Sequence, residues 1–185
     1  MSILIEEILK HNREFVAKGD YARYDTPKFP AKKLAIVSCM DTRLVELLPA
    51  AMGLKNGDIK LIKNASGTIN QPFDSTIRSL LIAVYLLKVE EIAVVGHYDC
   101  GVEKMEPAKI IGEMLKRGVK QDQIDLLNYC GCDLESWLKG FEDSAEAVRA
   151  TMSLILRHPL MPESIPVHGF LMDPESGRLD RVTPE

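Results

Sequence analysis

The stretch "DSTIRSLLIAVYLLKVEEIAVVGH", residues 74–97, decides the fold. Its first part has a long helical pattern whose start Asp74 or Ser75 can cap with a side-chain oxygen. Its second part, "EIAVVGH" (91–97), is a short apolar, β-branched run of the kind that forms a strand buried on both faces. A helix that leads directly into such a strand is half of a crossover unit, so the flanking sequence should hold more strands of the same kind.

Upstream, "LAIVS" (34–38) is a second compact apolar run, and "DIKLIKNA" (58–65) alternates more and reads as a third strand. Strand, helix, strand, helix, strand in this order implies right-handed crossovers. The predicted class is α/β: a mainly parallel β-sheet flanked by helices. Downstream, "PAKIIGEMLKRG", "QDQIDLLNYC" and "DSAEAVRATMSLILRHP" read as helices, with Gly118 as a stop and Asp143 or Ser144 as a start. The end, "IPVHGFLMDPESGRLDRVTP", reads as a hairpin turning at "DPESG" and added at a sheet edge. At the other end, Ile3, Leu4, Ile8, Leu9 and Phe15 fall at helical spacing, and "KGDYARYDTPKFPAKK" follows as an extended surface connection.

With 185 residues the chain is long enough for one domain with a real core and short for two. We expect a single domain over 1–185, with an amino-terminal helical arm at about 1–20 and no internal repeat or linker. Apolar residues make up 46% and charged residues 27%, an ordinary balance for a globular protein. A net charge of -4 provides no broad basic field for nucleic acid or an anionic membrane. Glu6 and Glu7 interrupt the first apolar segment before a signal core or membrane span can form, so the cytoplasm is the expected compartment. In a reducing compartment, Cys39, Cys100, Cys130 and Cys132 point to metal binding or catalysis before disulfides.

Cys39 directly follows "LAIVS", and His97 ends "EIAVVGH". In an open parallel sheet, ligands bind outside the carboxyl ends of strands, above all where the strand order reverses. "GHYDCG" adds Cys100 at a His-x-x-Cys spacing, which lets one loop wrap both side chains around an ion. Two thiolates and one imidazole suit Zn2+ in tetrahedral geometry, with a fourth position open for water that can become a hydroxide nucleophile.

Asp41 and Arg43 alternate with Cys39 in "VSCMDTRL" (37–44). Asp41 could be the N-cap of a helix starting at Thr42, but a cation in the first helical turn opposes the helix dipole. As a charge-assisted pair, the two have a clearer purpose: Arg43 fixes Asp41 and keeps it ionised. Asp41 then either accepts the proton of zinc-bound hydroxide or binds zinc itself as a fourth ligand. Both states are open at this point.

"CMDTR" and "HYDC" together resemble the β-class carbonic anhydrases, whose Cys-x-Asp-x-Arg and His-x-x-Cys motifs carry the zinc and the Asp–Arg pair. The resemblance runs from about Leu34 to the carboxyl terminus, with "RHP" (157–159) and "HGFLMDPESGRL" in support. It implies zinc on Cys39, His97 and Cys100, with Asp41 and Arg43 as the catalytic dyad and no organic cofactor. The implied reaction is reversible hydration of CO2 to bicarbonate and a proton by zinc-bound hydroxide. It also implies a homodimer or higher homo-oligomer in which the amino-terminal helix packs over the partner.

The chain departs from the pattern in two places. Family members often carry Arg-Asn-Ala-Gly where this chain has Lys63, Asn64, Ala65 and Ser66, with Gly67 one place later. Many also have a glutamine shortly before the first zinc cysteine, and "DTPKFPAKKLAIVSC" has none. Two alternatives therefore stand beside CO2 hydration. One is a carbonyl sulfide or carbon disulfide hydrolase on the same scaffold; the other is a non-enzymatic zinc protein with Asp41 closing the metal site.

The remaining candidates carry less chemistry. "CGC" (130–132) lacks the spacing and context of a thioredoxin-like motif. His11 and His158 read as surface or capping residues, and His168 as a structural histidine in a strand. Tyr98 and Asp99 read as shaping the loop between two ligands, with Asp99 placed to orient one of them.

Overall fold

The apolar runs that define the sequence pattern become adjacent parallel strands. The computed structural model describes residues 2–184, so Met1 and Glu185, the ends of the predicted domain, lie outside the described residues. Five strands, β1 (Leu34–Cys39), β2 (Ile59–Asn64), β3 (Glu91–His97), β4 (Val167–Met172) and β5 (Leu179–Val182), form one sheet in the order β2-β1-β3-β4-β5. All neighbours are parallel except β4 and β5, the predicted terminal hairpin, which is antiparallel at the edge.

The helices are α1 (Ile3–Lys18), α2 (Leu44–Ala51), α3 (Ser75–Leu87), α4 (Pro107–Lys116), α5 (Gln121–Tyr129), α6 (Leu134–Leu138) and α7 (Ser144–Leu156). Strand alternation splits the core into two layers. On one face Ala35, Val37, Ile92 and Val94 pack with Leu80 of α3 and with Val148, Met152 and Ile155 of α7. On the other, Ile36, Ala93 and Val95 meet Leu44 and Leu48 of α2. Leu44 and Leu48 are fully buried, and each side chain contributes roughly 1.5–3 kcal/mol of apolar burial.

Close approach of α7 to the sheet depends on glycine. A Cβ at Gly169 would stand 2.4 Å from Met152 Sδ and 3.0 Å from Val148 Cγ1 and the Val182 carbonyl oxygen, so a side chain there would force α7 side chains to shift. Asp143 caps α7, accepting from the Glu146 backbone N–H at 2.8 Å. Asp143→Ala is expected to destabilise the protein by about 1 kcal/mol, read as a lowered urea midpoint with unchanged slope. An unmoved midpoint would remove the cap from this account.

The structure amends the reading in three places. The connection after α1 is not simply extended, because Asp20–Tyr24 form a 3-10 turn after Gly19 at φ 72. The five-residue α6 is too short to show a hydrophobic period; it is set by Asp133, which accepts from the Ser136 N–H at 3.0 Å. His158 is neither a surface nor a capping residue but is 4% exposed, its Nε2 donating to the Pro72 carbonyl at 2.8 Å and its Nδ1 accepting from the Leu160 N–H. Its neighbour Pro159 ends the helix, and the imidazole turns inward to tie that end to the loop before α3. His168 pairs with Glu91 at 3.0 Å, as befits a structural histidine.

Candidate metal centre

The chain runs outward along β1 to β2 on one side, then returns past β1 to place β3 on the other. The carboxyl ends of β1 and β3 therefore flank the point where strand order reverses, and Cys39 and His97 are the last residues of those strands. The turn after β3 brings Cys100 back beside them. One ligand-type atom from each of Cys39, His97 and Cys100 lies within 4.8 Å of the others, and all three residues are buried.

The geometry fits a tetrahedral cation. The two sulfurs are 4.0 Å apart, and two Zn–S bonds of about 2.3 Å at a tetrahedral angle span about 3.8 Å. His97 Nδ1 donates to the Tyr98 carbonyl at 2.8 Å, which leaves Nε2 as the lone-pair nitrogen. That Nε2 is buried and has no hydrogen-bond partner, a costly arrangement unless a cation takes the lone pair. Nitrogen with two sulfurs is the donor chemistry of zinc.

The protons respond to this crowding. The Cys39 thiol is lowered, chiefly by hydrogen bonding from the Cys100 thiol and with the nearby His97 helping, against the opposing effect of burial. Cys100 is pushed up by the same Cys39 thiolate and by burial. Burial presses His97 down, but the nearby Cys39 sulfur and the Tyr98 carbonyl outweigh this and leave it raised. A divalent cation held here would reverse the balance and favour two thiolates and a neutral imidazole.

Asp41 and Arg43 form a two-pronged pair. Arg43 Nε donates to Asp41 Oδ1 at 3.1 Å and Nη2 donates to Oδ2 at 2.8 Å, while the Arg43 backbone N–H also donates to Oδ1 at 2.9 Å. These bonds, led by the guanidinium, hold the Asp41 carboxyl down at about 2. Its Oδ2 lies 4.0 Å from His97 Nε2. Helix α2 begins at Leu44 and not at Thr42, with Arg43 in the N-cap position, so Asp41 closes a turn before the helix instead of capping it.

The loop after β2 buttresses Cys39. Asn64 faces Cys39 in the strand register. Its Oδ1 accepts from Gly67 N–H at 2.8 Å, and its Nδ2 donates to the Thr68 carbonyl at 2.8 Å and to Thr76 Oγ1 at 3.1 Å. Gly67 has φ +71 and packs so tightly that a Cβ would stand 2.6 Å from Cys39 N. The preceding Ser66, at φ 81, donates or accepts with Thr68 Oγ1 at 2.6 Å. The displaced glycine noted in the sequence thus has a steric reason.

All five predicted site residues meet at one place. Sequence reading missed two features. Asp99 bonds Arg43 and no ligand, its carboxylate accepting from Nη1 and its backbone carbonyl from Nη2, both at 2.9 Å. Lys63, in register with Ser38, has a buried Nζ without a partner, lowered by burial and partly restored by the nearby Cys39 and Asp41 charges. The alternating pattern of β2 gave no sign that this lysine faces inward. Cys130 and Cys132 are exposed and stand apart from the cluster.

A doubly wound sheet with a His–Cys–Cys donor set and an Asp–Arg pair at its strand reversal defines a class of α/β enzyme with a candidate metal centre. The family model for carbonic anhydrase matches residues 34–179. The Bacillus subtilis (strain 168) protein YvdA is 47% identical over 180 residues, covering 97% of this chain and 91% of that one. The crystal structure of β-carbonic anhydrase isoform I (TvaCA1) from Trichomonas vaginalis aligns with a TM-score of 0.84 at 31% identity, over 100% of this chain and 99% of that one. A carbon disulfide hydrolase of Acidithiobacillus thiooxidans is 26% identical, over 80% of this chain and 76% of that one. The chain belongs to the β-carbonic anhydrase family, and carbonic anhydrases are lyases.

Proposed function

We propose that this protein catalyses the reversible hydration of CO2 to bicarbonate and a proton, with zinc held by Cys39, His97 and Cys100. The observation that carries this reading is the buried, partnerless His97 Nε2 facing two thiols, with a clamped carboxylate 4.0 Å away. When bound, zinc supplies the acidity that makes water a nucleophile near neutral pH. The chain's own residues arrange the rest. Asp41 accepts a hydrogen bond from the attacking oxygen and so aims it at the carbon of CO2, while Arg43 keeps Asp41 ionised and in place. The second proton of the attacking water leaves to solvent as bicarbonate forms.

The alternative in which Asp41 closes the metal position is disfavoured, because Arg43 engages both carboxylate oxygens. The hydrolase alternative keeps the same ligands and draws on the carbon disulfide hydrolase relative and on the missing glutamine before Cys39. Parallel assays of the zinc-loaded protein separate the two: CO2 hydration without sulfide release from carbon disulfide is expected. Sulfide release with CO2 hydration at background would replace this reading by the second.

In the same proposal, the 1–185 domain works as a homodimer or higher homo-oligomer in the cytoplasm. No residue of α1 is buried, and Ile3, Leu4, Ile8 and Leu9 all face outward, an apolar stripe for a second copy to cover. Among the described residues, no helix is long and apolar enough to cross a membrane.

A further inference from the structure

Arg43 sits at the N-cap position of α2, where the helix dipole disfavours a cation. Two acids offset this, and only one belongs to the "CMDTR" run. The other, Asp99, comes from the turn between His97 and Cys100 and takes the opposite side of the guanidinium: its Oδ2 accepts from Nη1, its carbonyl oxygen from Nη2, each at 2.9 Å. Both acceptors point at Arg43 because Asp99 adopts φ 55, a left-handed backbone that Asp and Asn tolerate better than other side chains apart from glycine. The Asp99 side chain is 86% exposed. Solvent therefore screens the attraction, and what the contact provides is orientation more than stability.

We infer that Asp99 is a positioning residue that determines where Asp41 rests: by fixing the far side of Arg43, it keeps both Asp41 oxygens on the guanidinium and off the position that His97 Nε2 faces. This rests on the roles given to Asp41 and Arg43 above. If Arg43 were held by Asp41 alone, the pair could swing as a unit, and Asp41 Oδ2, already 4.0 Å from His97 Nε2, would compete for the cation. With Asp99 in place, a fixed fork leaves Asp41 no such freedom.

The test reads coordination and not turnover. Thiocyanate binding to cobalt-loaded protein, followed by visible absorption, reports whether the fourth position is free. Asp99→Asn retains the left-handed backbone and the carbonyl contact while removing the charge. It is expected to weaken thiocyanate binding about tenfold, and the same change in an Asp41→Ala background is expected to have no effect. Side-chain nitrogen NMR of the wild type should show hindered rotation of the Arg43 guanidinium, lost in Asp99→Asn. Unchanged thiocyanate affinity, equal weakening in both backgrounds, or free rotation of Arg43 in the wild type would each overturn the inference. Absence of CO2 hydration by the wild type would instead overturn the proposed function and leave these readings intact.

Discussion

Replacing Cys39 with serine is expected to remove zinc from the protein and CO2 hydration with it. Sulfur and oxygen differ little in size, and Cys39 is 5% exposed at the end of a strand paired on both sides, so the fold should persist. The chemistry changes far more. Cys39 is the thiol poised to ionise, lowered chiefly by its hydrogen bond from Cys100, whereas a serine hydroxyl stays protonated and is a poor zinc ligand. Losing an outer hydrogen-bond partner of a metal ligand already costs ~10–100-fold in affinity. Losing a ligand should cost at least on the order of a hundredfold. Metal analysis after dialysis against a weak chelator, beside circular dichroism, checks this; a folded Cys39→Ser protein with full zinc and wild-type rate would remove Cys39 from the site.

Gly67→Ala is expected to have the largest structural effect of any single methyl addition near the site. The new Cβ would stand 2.6 Å from Cys39 N and 2.8 Å from the Ser38 carbonyl carbon, both backbone atoms of a buried central strand that cannot rotate away. The residue is also at φ +71, where a side chain costs roughly 1–2 kcal/mol before any clash. Together these predict destabilisation on the order of 3 kcal/mol or more. Gly53 is the control, with a similar φ of +64 and nothing within 4 Å of an added Cβ. Gly53→Ala should lose only the backbone part, about 1 kcal/mol. Urea unfolding of the two variants separates clash from strain, and zinc affinity of folded Gly67→Ala should fall because Cys39 moves with its backbone. Equal midpoints for the two variants would show that the loop does not press on Cys39.

Much of this was legible because local and tertiary signals agree. "LAIVS" and "EIAVVGH" are buried on both faces, so their apolar runs have no other reading, and both end in residues whose chemistry is out of place in a strand. Asp74 and Asp143 mark the starts of α3 and α7, as side-chain oxygens before a helical period do. The contacts that were not legible lie between segments remote in sequence. Asp99 meets Arg43 across 56 positions, and His158 meets the Pro72 carbonyl across 86. Their partners exist only after the strands have been ordered. Gly67 was visible as a shifted glycine, but its cause, the backbone of Cys39, belongs to the neighbouring strand. Asp41 reads in sequence either as the cap of a helix starting at Thr42 or as the partner of Arg43; α2 starts at Leu44, and Arg43 bonds both Asp41 oxygens.

The proposed activity makes the Cys39–His97–Cys100 cluster a zinc centre that hydrates CO2. Stopped-flow measurement of CO2 hydration during zinc titration of metal-free protein tests it most directly. The rate is expected to rise in proportion to bound zinc and to level off at one zinc per chain. A background rate at full zinc occupancy, or activity that does not follow zinc, would contradict it.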